Sequence, residues 1–204
     1  MKKNINPELD KLLTSKNQLP SEYIDKITDK IYLGEKEGLK DPEYFSSEKI
    51  THVLSLIDME ISLPKESKLV HKLISIEDDE KSNLLKIIKE CIEFIEKADK
   101  IFIHCMYGIS RSPSIVIAYL MWKTHCSYYD TYFFVKNRRK FICPNDGFVE
   151  QLKLFEKLIK KNDYDLSKID FDSIQIKEYK ENFSFFYESS AEKTEVNNKE
   201  KKMK

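Results

Sequence analysis

A nine-residue segment, His104-Cys105-Met106-Tyr107-Gly108-Ile109-Ser110-Arg111-Ser112, lies between an apolar stretch and a helix-like stretch. We call it the cysteine loop (residues 104–112). Residues 101–103 predict a strand before it, and residues 113–124 predict a helix after it. Backbone amides between a strand and a helix N-terminus can converge on an anion. Arg111 follows Cys105 after five intervening residues, and its planar fork matches two phosphate oxygens.

The residue types of this loop are rarely found together by chance. Average residue usage gives a match to its His, Cys, Gly, Arg and Ser at these offsets about once in ten million positions. The alternative is a purely structural role for Cys105 as a buried packing residue, because unreactive thiols are among the most buried groups. The flanking strand and helix favour a nucleophile beneath a bound anion instead.

The cysteine loop resembles the signature of the cysteine-dependent protein phosphatases, and its Gly-Ile-Ser-Arg-Ser end is similar to the dual-specificity branch. Other landmarks of that family follow in order at 29–34, 50–54, 74–78, 118–121, 144–145, 147–148 and 151–152. The resemblance covers roughly residues 22–160. It indicates a small atypical member without a kinase-docking domain, since about twenty preceding residues cannot form one.

Composition narrows the function classes. The 204 residues include 35 basic and 35 acidic side chains, so the net charge is zero and nucleic-acid binding is not expected. No signal peptide or membrane-length apolar run occurs, and Lys2 does not permit myristoylation, so no membrane partner is expected. The four cysteines show neither metal-ligand spacing nor tight disulfide spacing. These features predict a cytoplasmic protein, with the nucleus as a second location.

The hydrophobic pattern predicts one α/β domain, a central and mostly parallel sheet flanked by helices. Strands are predicted at 27–33, 51–57, 68–76 and 100–104, and helices at 41–49, 82–98, 127–136 and 148–160. Residues 1–21 are expected to be a flexible leader or one loose helical turn, and 22–161 the catalytic domain. The extension 162–188 is expected to dock on the domain or on a partner, and 189–204 is expected to be a disordered charged tail.

The chemistry follows from the loop and from the resemblance. Loop amides, the dipole of the following helix and Arg111 all favour the thiolate of Cys105, which would attack phosphorus to give a phosphocysteine. The amides of residues 106–111 (Met106, Tyr107, Gly108, Ile109, Ser110 and Arg111) would hold the phosphoryl oxygens. No metal or other cofactor is expected. The resemblance implies that Asp78 is the general acid, with Glu77 or Asp79 as alternative residues for this role. The non-catalytic interpretation is that all three belong to a solvated acidic turn.

Three further residues have two interpretations each. The resemblance implies that Ser112 stabilises the departing thiolate, whereas a plain helix N-cap with Pro113 in the first turn explains it equally well. His104 is implied to organise the loop rather than to transfer protons. Asn145 either braces the loop or serves as a turn residue.

The substrate is less constrained than the reaction. The variable loop positions Met106, Tyr107, Ile109 and Ser110 are uncharged, whereas a phosphoinositide substrate would need lysines there. Phosphoproteins are therefore the expected partners. The expected substrate residue is phosphotyrosine, and phosphoserine and phosphothreonine are expected to be accepted as well. The basic cluster 138–140 either recognises a second phosphate or faces water. A phosphate-binding pseudoenzyme and a scaffold acting through residues 183–187 remain alternatives, and the oligomeric state stays open.

Overall fold

The computed structural model describes residues 6–12, 21–61, 63 and 68–174. The chain divides into two units, with the boundary between residues 169 and 170. In the second unit the described residues are 170–174, where the backbone N–H of Ser173 donates to the Asp170 carboxylate. The predicted tail 189–204 and the segment 183–187 lie outside the described residues.

A five-stranded sheet forms the centre of the first unit. Its strands are β1 (Ile24–Lys26), β2 (Ile31–Glu35), β3 (His52–Leu56), β4 (Val70–Ile74) and β5 (Ile101–Cys105), in the spatial order β1-β2-β5-β3-β4. The pairs β2–β5, β5–β3 and β3–β4 are parallel, and β1 runs antiparallel to β2. This confirms the predicted α/β fold with a mostly parallel sheet.

The prediction of one strand over 27–33 is wrong. The chain turns there between β1 and β2, and the hydroxyl of Thr28 accepts hydrogen bonds from the amides of Lys30 at 3.2 Å and Ile31 at 2.9 Å. A threonine side chain that binds nearby amides competes with the ladder of a sheet, so it favours a turn. The apolar pattern identified the second strand but hid this turn.

Helices cover both faces of the sheet. They are α1 (Pro7–Asp10), α2 (Pro42–Glu48), α3 (Leu85–Lys97), α4 (Arg111–Thr124), α5 (Tyr128–Arg138) and α6 (Asp146–Lys161). One row across the sheet, Tyr32, Phe102 and Val53, packs in a cluster with Tyr44 and Phe45 of α2. The opposite face carries α4, which contacts β2, β3 and β5. Helix α4 is buried along its first eleven residues, as expected for a helix enclosed by other elements.

The first unit extends beyond both predicted domain boundaries. Leu9 of α1 is fully buried, and the carbonyl of Leu12 accepts a hydrogen bond from the amide of Asp29 at 2.9 Å. Beyond α6, the indole of Trp122 donates to the carbonyl of Tyr164 at 2.8 Å, and Leu166 is buried. In the described part of the chain, no helix combines the length and apolar character needed to cross a membrane.

The N-terminus of α3 is capped from another helix. The side-chain oxygen of Gln151 on α6 accepts from the amides of Leu84 at 2.8 Å and Leu85 at 3.2 Å, and its amide group donates to the carbonyl of Ser82 at 2.9 Å. Gln151 and both leucines are buried. The N-cap residue itself, Leu84, has no side chain that can cap α3, so Gln151 satisfies these amides from outside the helix and thereby joins α3 to α6.

Replacing Gln151 with Met should lower the free energy of unfolding by about 2–4 kcal/mol, since it preserves volume but leaves buried amides without an acceptor. Urea denaturation followed by circular dichroism measures this change. The control is Asn83→Ala, which removes an exposed hydrogen bond to the amide of Lys86 and should cost at most about 1 kcal/mol. Equal stability of the Gln151→Met variant and the wild type would contradict the capping role.

Candidate active site

Strand β5 ends at Cys105, whose side chain is 1% exposed at the carboxyl edge of the sheet. The chain then forms the loop and enters α4 at Arg111. The predicted N-cap at Ser112 is wrong, because the N-cap is Ser110 and Ser112 already lies inside the first turn. The hydroxyl of Ser112 donates to Sγ of Cys105 at 3.3 Å. The alternative interpretation of Ser112, contact with the sulfur, therefore describes its geometry.

Every backbone carbonyl from residue 105 to residue 110 accepts a hydrogen bond from a donor in the protein. The pairs are His104 Nδ1 to Cys105 O at 3.1 Å, Lys36 N to Met106 O at 3.2 Å, Arg139 Nη2 to Tyr107 O at 3.0 Å, Arg139 Nε to Gly108 O at 2.9 Å, Cys143 N to Ile109 O at 2.7 Å and Ser114 Oγ to Ser110 O at 2.7 Å. These donors come from β5, the chain after β2, the chain after α5, and α4.

The orientation of the carbonyls fixes the orientation of the amides. A trans peptide is planar, so its N–H points opposite to its C=O. Holding the carbonyls of 105–110 against the surrounding elements therefore turns the N–H groups of 106–111 away from them. These are the six residues that the sequence predicted to bind phosphate, and a loop with its amides on one side forms an anion-binding concavity.

Arg139 provides two of these donors, a role that the sequence pattern did not indicate. Its side chain is 5% exposed, and its third donor group binds the Asp25 carboxylate at 2.8 Å. Arg138 also turns inward, with its guanidinium 3.5 Å from the centre of the Phe134 ring. Neither interpretation of the basic cluster, second-phosphate binding or solvent exposure, describes Arg139. Its position just after a helix carried no signal for this structural role.

Gly108 allows the close approach of the loop to β2. Its φ is +63°, in the left-handed region, and a Cβ atom there would lie 2.4 Å from the carbonyl oxygen of Gly34. A side chain at position 108 would therefore be strained and would collide with the backbone of a central strand.

The guanidinium of Arg111 lies between two carboxylates. Its Nη1 donates to Asp58 at 3.1 Å and to the carbonyl of Ile76 at 3.1 Å, and its Nε lies 3.7 Å from Asp78. Nε is buried and has no hydrogen-bond acceptor within the part of the chain that the structure describes. A buried charged donor in this state suits an oxygen of a bound anion. Asp58 was missed, although its place just after β3 puts it at the same sheet edge as Cys105.

Asp78 is bonded directly to the loop. Its Oδ1 accepts from the hydroxyl of Ser110 at 2.6 Å and from the side-chain amide of Asn145 at 2.9 Å, and the Asn145 backbone N–H donates to Ser110 Oγ at 3.1 Å. Asp79 instead accepts from the amide of Lys81 in its own turn, at 2.7 Å. Glu77 is exposed. Of the three carboxylates, Asp78 is therefore the one that the geometry joins to the site.

Asn145 and His104 both support the loop. Asn145 braces Asp78 and also caps α6, where its side-chain oxygen accepts from the amide of Phe148 at 2.9 Å. Burial lowers the pKa of His104 to about 4, so its imidazole is neutral at physiological pH. The Nδ1 atom of this neutral imidazole lies 3.1 Å from the carbonyl oxygen of Cys105, so His104 contacts the backbone at the start of the loop.

Known proteins are similar to this chain over the segment that contains these site residues. The family model for the dual specificity phosphatase catalytic domain matches residues 31–158. Dual specificity protein phosphatase MPK-4 of Drosophila melanogaster is 36% identical over 141 residues, which cover 66% of this chain and 36% of that relative. This chain thus spans about a third of that relative's length.

Solved structures give a matching result. The crystal structure of DUSP15 is similar with a TM-score of 0.63 and 30% identity, covering 69% of this chain and 94% of that one. The human tyrosine phosphatase-like serine/threonine/tyrosine-interacting protein has a TM-score of 0.64 and 27% identity, covering 67% of this chain and 97% of that one. The matched family segment contains the thiol, the loop amides, the arginine and the Asp78 carboxylate, and this chain belongs to the dual specificity phosphatase family.

Proposed function

We propose that this chain is a protein phosphatase that hydrolyses phosphotyrosine, and also phosphoserine and phosphothreonine, through a phosphocysteine intermediate. One observation carries the proposal: the Cys105 sulfur lies at the start of a loop whose six carbonyls are all turned to protein donors. Amides held in this way stabilise charge on a transferring phosphoryl group without reorganising during the reaction.

In the first step the Cys105 thiolate attacks phosphorus and forms an S–P bond, while the bond between phosphorus and the substrate oxygen breaks. The leaving oxygen takes a proton from the carboxyl group of Asp78, which the Ser110 and Asn145 contacts hold at the loop. Arg111 and the amides of 106–111 bind the three equatorial oxygens. Phosphate transfer thus needs no group beyond the side chains and amides of this site.

In the second step a water molecule attacks phosphorus and gives its proton to the Asp78 carboxylate. The S–P bond breaks, inorganic phosphate forms, and the electron pair returns to sulfur. The Ser112 hydroxyl, 3.3 Å from Sγ, donates a hydrogen bond to the thiolate as it leaves. Charge-assisted hydrogen bonds are stronger than neutral ones, so this contact favours the cleavage step.

Exposed apolar side chains suit a protein substrate. Tyr107 of the loop is 65% exposed, and Phe141 just before Cys143 is 75% exposed. Cys143 donates to the carbonyl of Ile109, which places this segment beside the loop. We call these exposed side chains beside the loop, Tyr107 and Phe141, the rim. Because they are uncharged, they offer contacts to a peptide but do not balance the negative charge of several phosphates. We further propose a cytoplasmic location, with the nucleus as a second one, supported by four cysteines without tight disulfide spacing.

A second candidate function is phosphoprotein binding with little turnover. The similarity to the human tyrosine phosphatase-like serine/threonine/tyrosine-interacting protein favours this function. That structure matches this chain with a TM-score comparable to that of DUSP15. Cys105, Arg111, Asp78 and Ser112 all occupy positions that turnover requires, which favours the enzyme.

The wild type should hydrolyse para-nitrophenyl phosphate, vanadate should inhibit it, and a metal chelator should leave the rate unchanged. Cys105→Ser should remove turnover, because a hydroxyl is a far weaker nucleophile than a thiolate. The same substitution should leave binding of a phosphotyrosine peptide measurable by calorimetry. Peptide binding by a wild type that shows no turnover would support the binding-module alternative.

Asp78→Asn should lower kcat most for substrates with poor leaving groups, such as phenyl phosphate, since these need protonation. With a good leaving group, the variant should accumulate phosphocysteine, which mass spectrometry of the quenched enzyme detects, because the second step has lost its base. Asp79→Asn is the matched control and should behave as wild type. A leaving-group dependence that appears in the Asp79 variant alone would assign the acid to Asp79.

Arg139→Lys should reduce kcat by about 10–100-fold, because one ammonium cannot replace a fork that holds two carbonyls. Lys140→Ala, next to it and exposed, is the control and should change kcat less than about twofold. Both are measured with para-nitrophenyl phosphate and with singly and doubly phosphorylated peptides. If Lys140→Ala selectively weakens binding of the doubly phosphorylated peptide, the basic cluster does contribute to recognition.

A further inference from the structure

A chain of side-chain hydrogen bonds crosses the sheet from the cysteine loop to an edge strand. His104 on β5 lies directly opposite Ser55 on β3, and its Nε2 is 2.7 Å from the Ser55 hydroxyl. The same hydroxyl is 2.8 Å from Nε2 of His71 on β4, the outer strand on that side. At its other end, Nδ1 of His104 lies 3.1 Å from the carbonyl of Cys105.

The direction of every hydrogen bond in this chain follows from its end at Cys105. A carbonyl oxygen only accepts, so Nδ1 of His104 carries the proton. Burial keeps His104 neutral at physiological pH, so its Nε2 is an acceptor and the Ser55 hydroxyl donates to it. The single proton of that hydroxyl is then used, and His71 Nε2 must be the donor to Ser55.

This direction holds in both protonation states of His71. A neutral His71 with its proton on Nε2 can donate to Ser55, and so can a charged one. Reversing the chain would require a proton on Nε2 of His104 in addition to the one on Nδ1. Full burial of Ser55 and His104 opposes that charge.

We infer that Ser55 and His71 are positioning residues for the nucleophile, acting through the tautomer and ring orientation of His104. The inference rests on the proposed phosphatase function. Because the peptide joining residues 105 and 106 is planar, the bond from His104 to the Cys105 carbonyl also sets the direction of the Met106 N–H. Ser55 and His71 thereby orient the first loop amide beside the sulfur, although neither touches the reacting atoms.

The two residues differ in burial, which separates positioning from stability. Ser55 is fully buried, whereas His71 is only partly buried on the edge strand. Removing the donor of His71 should therefore leave the core intact while it frees the Ser55 hydroxyl to rotate. His104 would then lose its fixed partner at Nε2. Ring stacking with Phe102, 5.3 Å between centroids, keeps the ring in place but does not select a tautomer.

The first test compares Ser55→Thr with Ser55→Val in the full chain. The two new side chains have the same shape, so packing effects are shared and only the hydroxyl differs. We expect Thr to retain most of the wild-type kcat for para-nitrophenyl phosphate, and Val to lower kcat about tenfold relative to Thr with KM nearly unchanged. Equal kcat values for the two variants would overturn the inference.

The second test compares His71→Gln with His71→Leu. Glutamine keeps an N–H donor of similar reach, and leucine removes it. We expect Gln to retain kcat and Leu to lower it about threefold to tenfold, with melting temperatures equal within about 2 °C. A fall in kcat shared by both variants, or tracking the melting temperature, would show that His71 is merely structural.

Nitrogen-15 NMR of the imidazole rings gives a readout that does not depend on turnover. In the wild type, His104 should be the neutral Nδ1–H tautomer, and in Ser55→Val the Nε2–H form should become populated. A wild-type Nε2–H tautomer would overturn the inference even if the enzyme is active. If the wild type shows no turnover while the tautomer is as expected, the proposed function fails and the hydrogen-bond chain stands.

Discussion

The site depends on one constraint: the backbone carbonyls of residues 105–110 are all held by hydrogen bonds to donors in the surrounding protein. A loop whose amides all face one side aligns its peptide dipoles, an arrangement that is unfavourable without compensating donors on the carbonyl side. Those donors come from segments far apart in sequence: Lys36 follows β2, Ser114 lies on α4, and Arg139 and Cys143 follow α5. Only a folded domain brings them together, so the anion site and the fold form as one unit.

The parallel sheet explains why the charged groups meet. Asp58, Asp78 and Cys105 each follow or end one of three adjacent parallel strands, and the carboxyl ends of parallel strands share one edge. Arg111 enters this edge from the start of α4 and contacts both carboxylates. The two carboxylates hold the guanidinium of Arg111 in place, and their negative charges partly offset its positive charge. The loop amides must therefore contribute much of the attraction for phosphate.

The sequence predicted the fold class and the location of the cysteine loop, and it predicted that Asp78 lies beside that loop. These features leave local patterns: apolar runs, a rare motif and an acidic residue shortly after a strand. It misplaced the start of α4 at Ser112, since Ser110 and Ser112 are equally good caps by composition and only the contact with sulfur separates them. It missed Asp58, Ser55 and His71, and it assigned Arg139 to phosphate recognition or to solvent, whereas Arg139 binds the loop carbonyls. These residues act through backbone groups or through other side chains, and such partners leave no spacing in the sequence.

The supports of the loop also shape the exposed surface around it, to which the proposed function assigns substrate contact. Arg139 holds the carbonyl of Tyr107, and Cys143 holds that of Ile109, so the two exposed loop side chains are fixed by the same contacts that orient the amides. The amides recognise only the phosphoryl group, which every phosphorylated residue shares. Under the proposed function, discrimination between phosphoproteins comes from the exposed residues around the loop, such as Phe141, two residues before Cys143. A change in these supports would alter catalysis and substrate choice together, whereas a change confined to the exposed rim side chains would alter substrate choice and leave the chemistry intact.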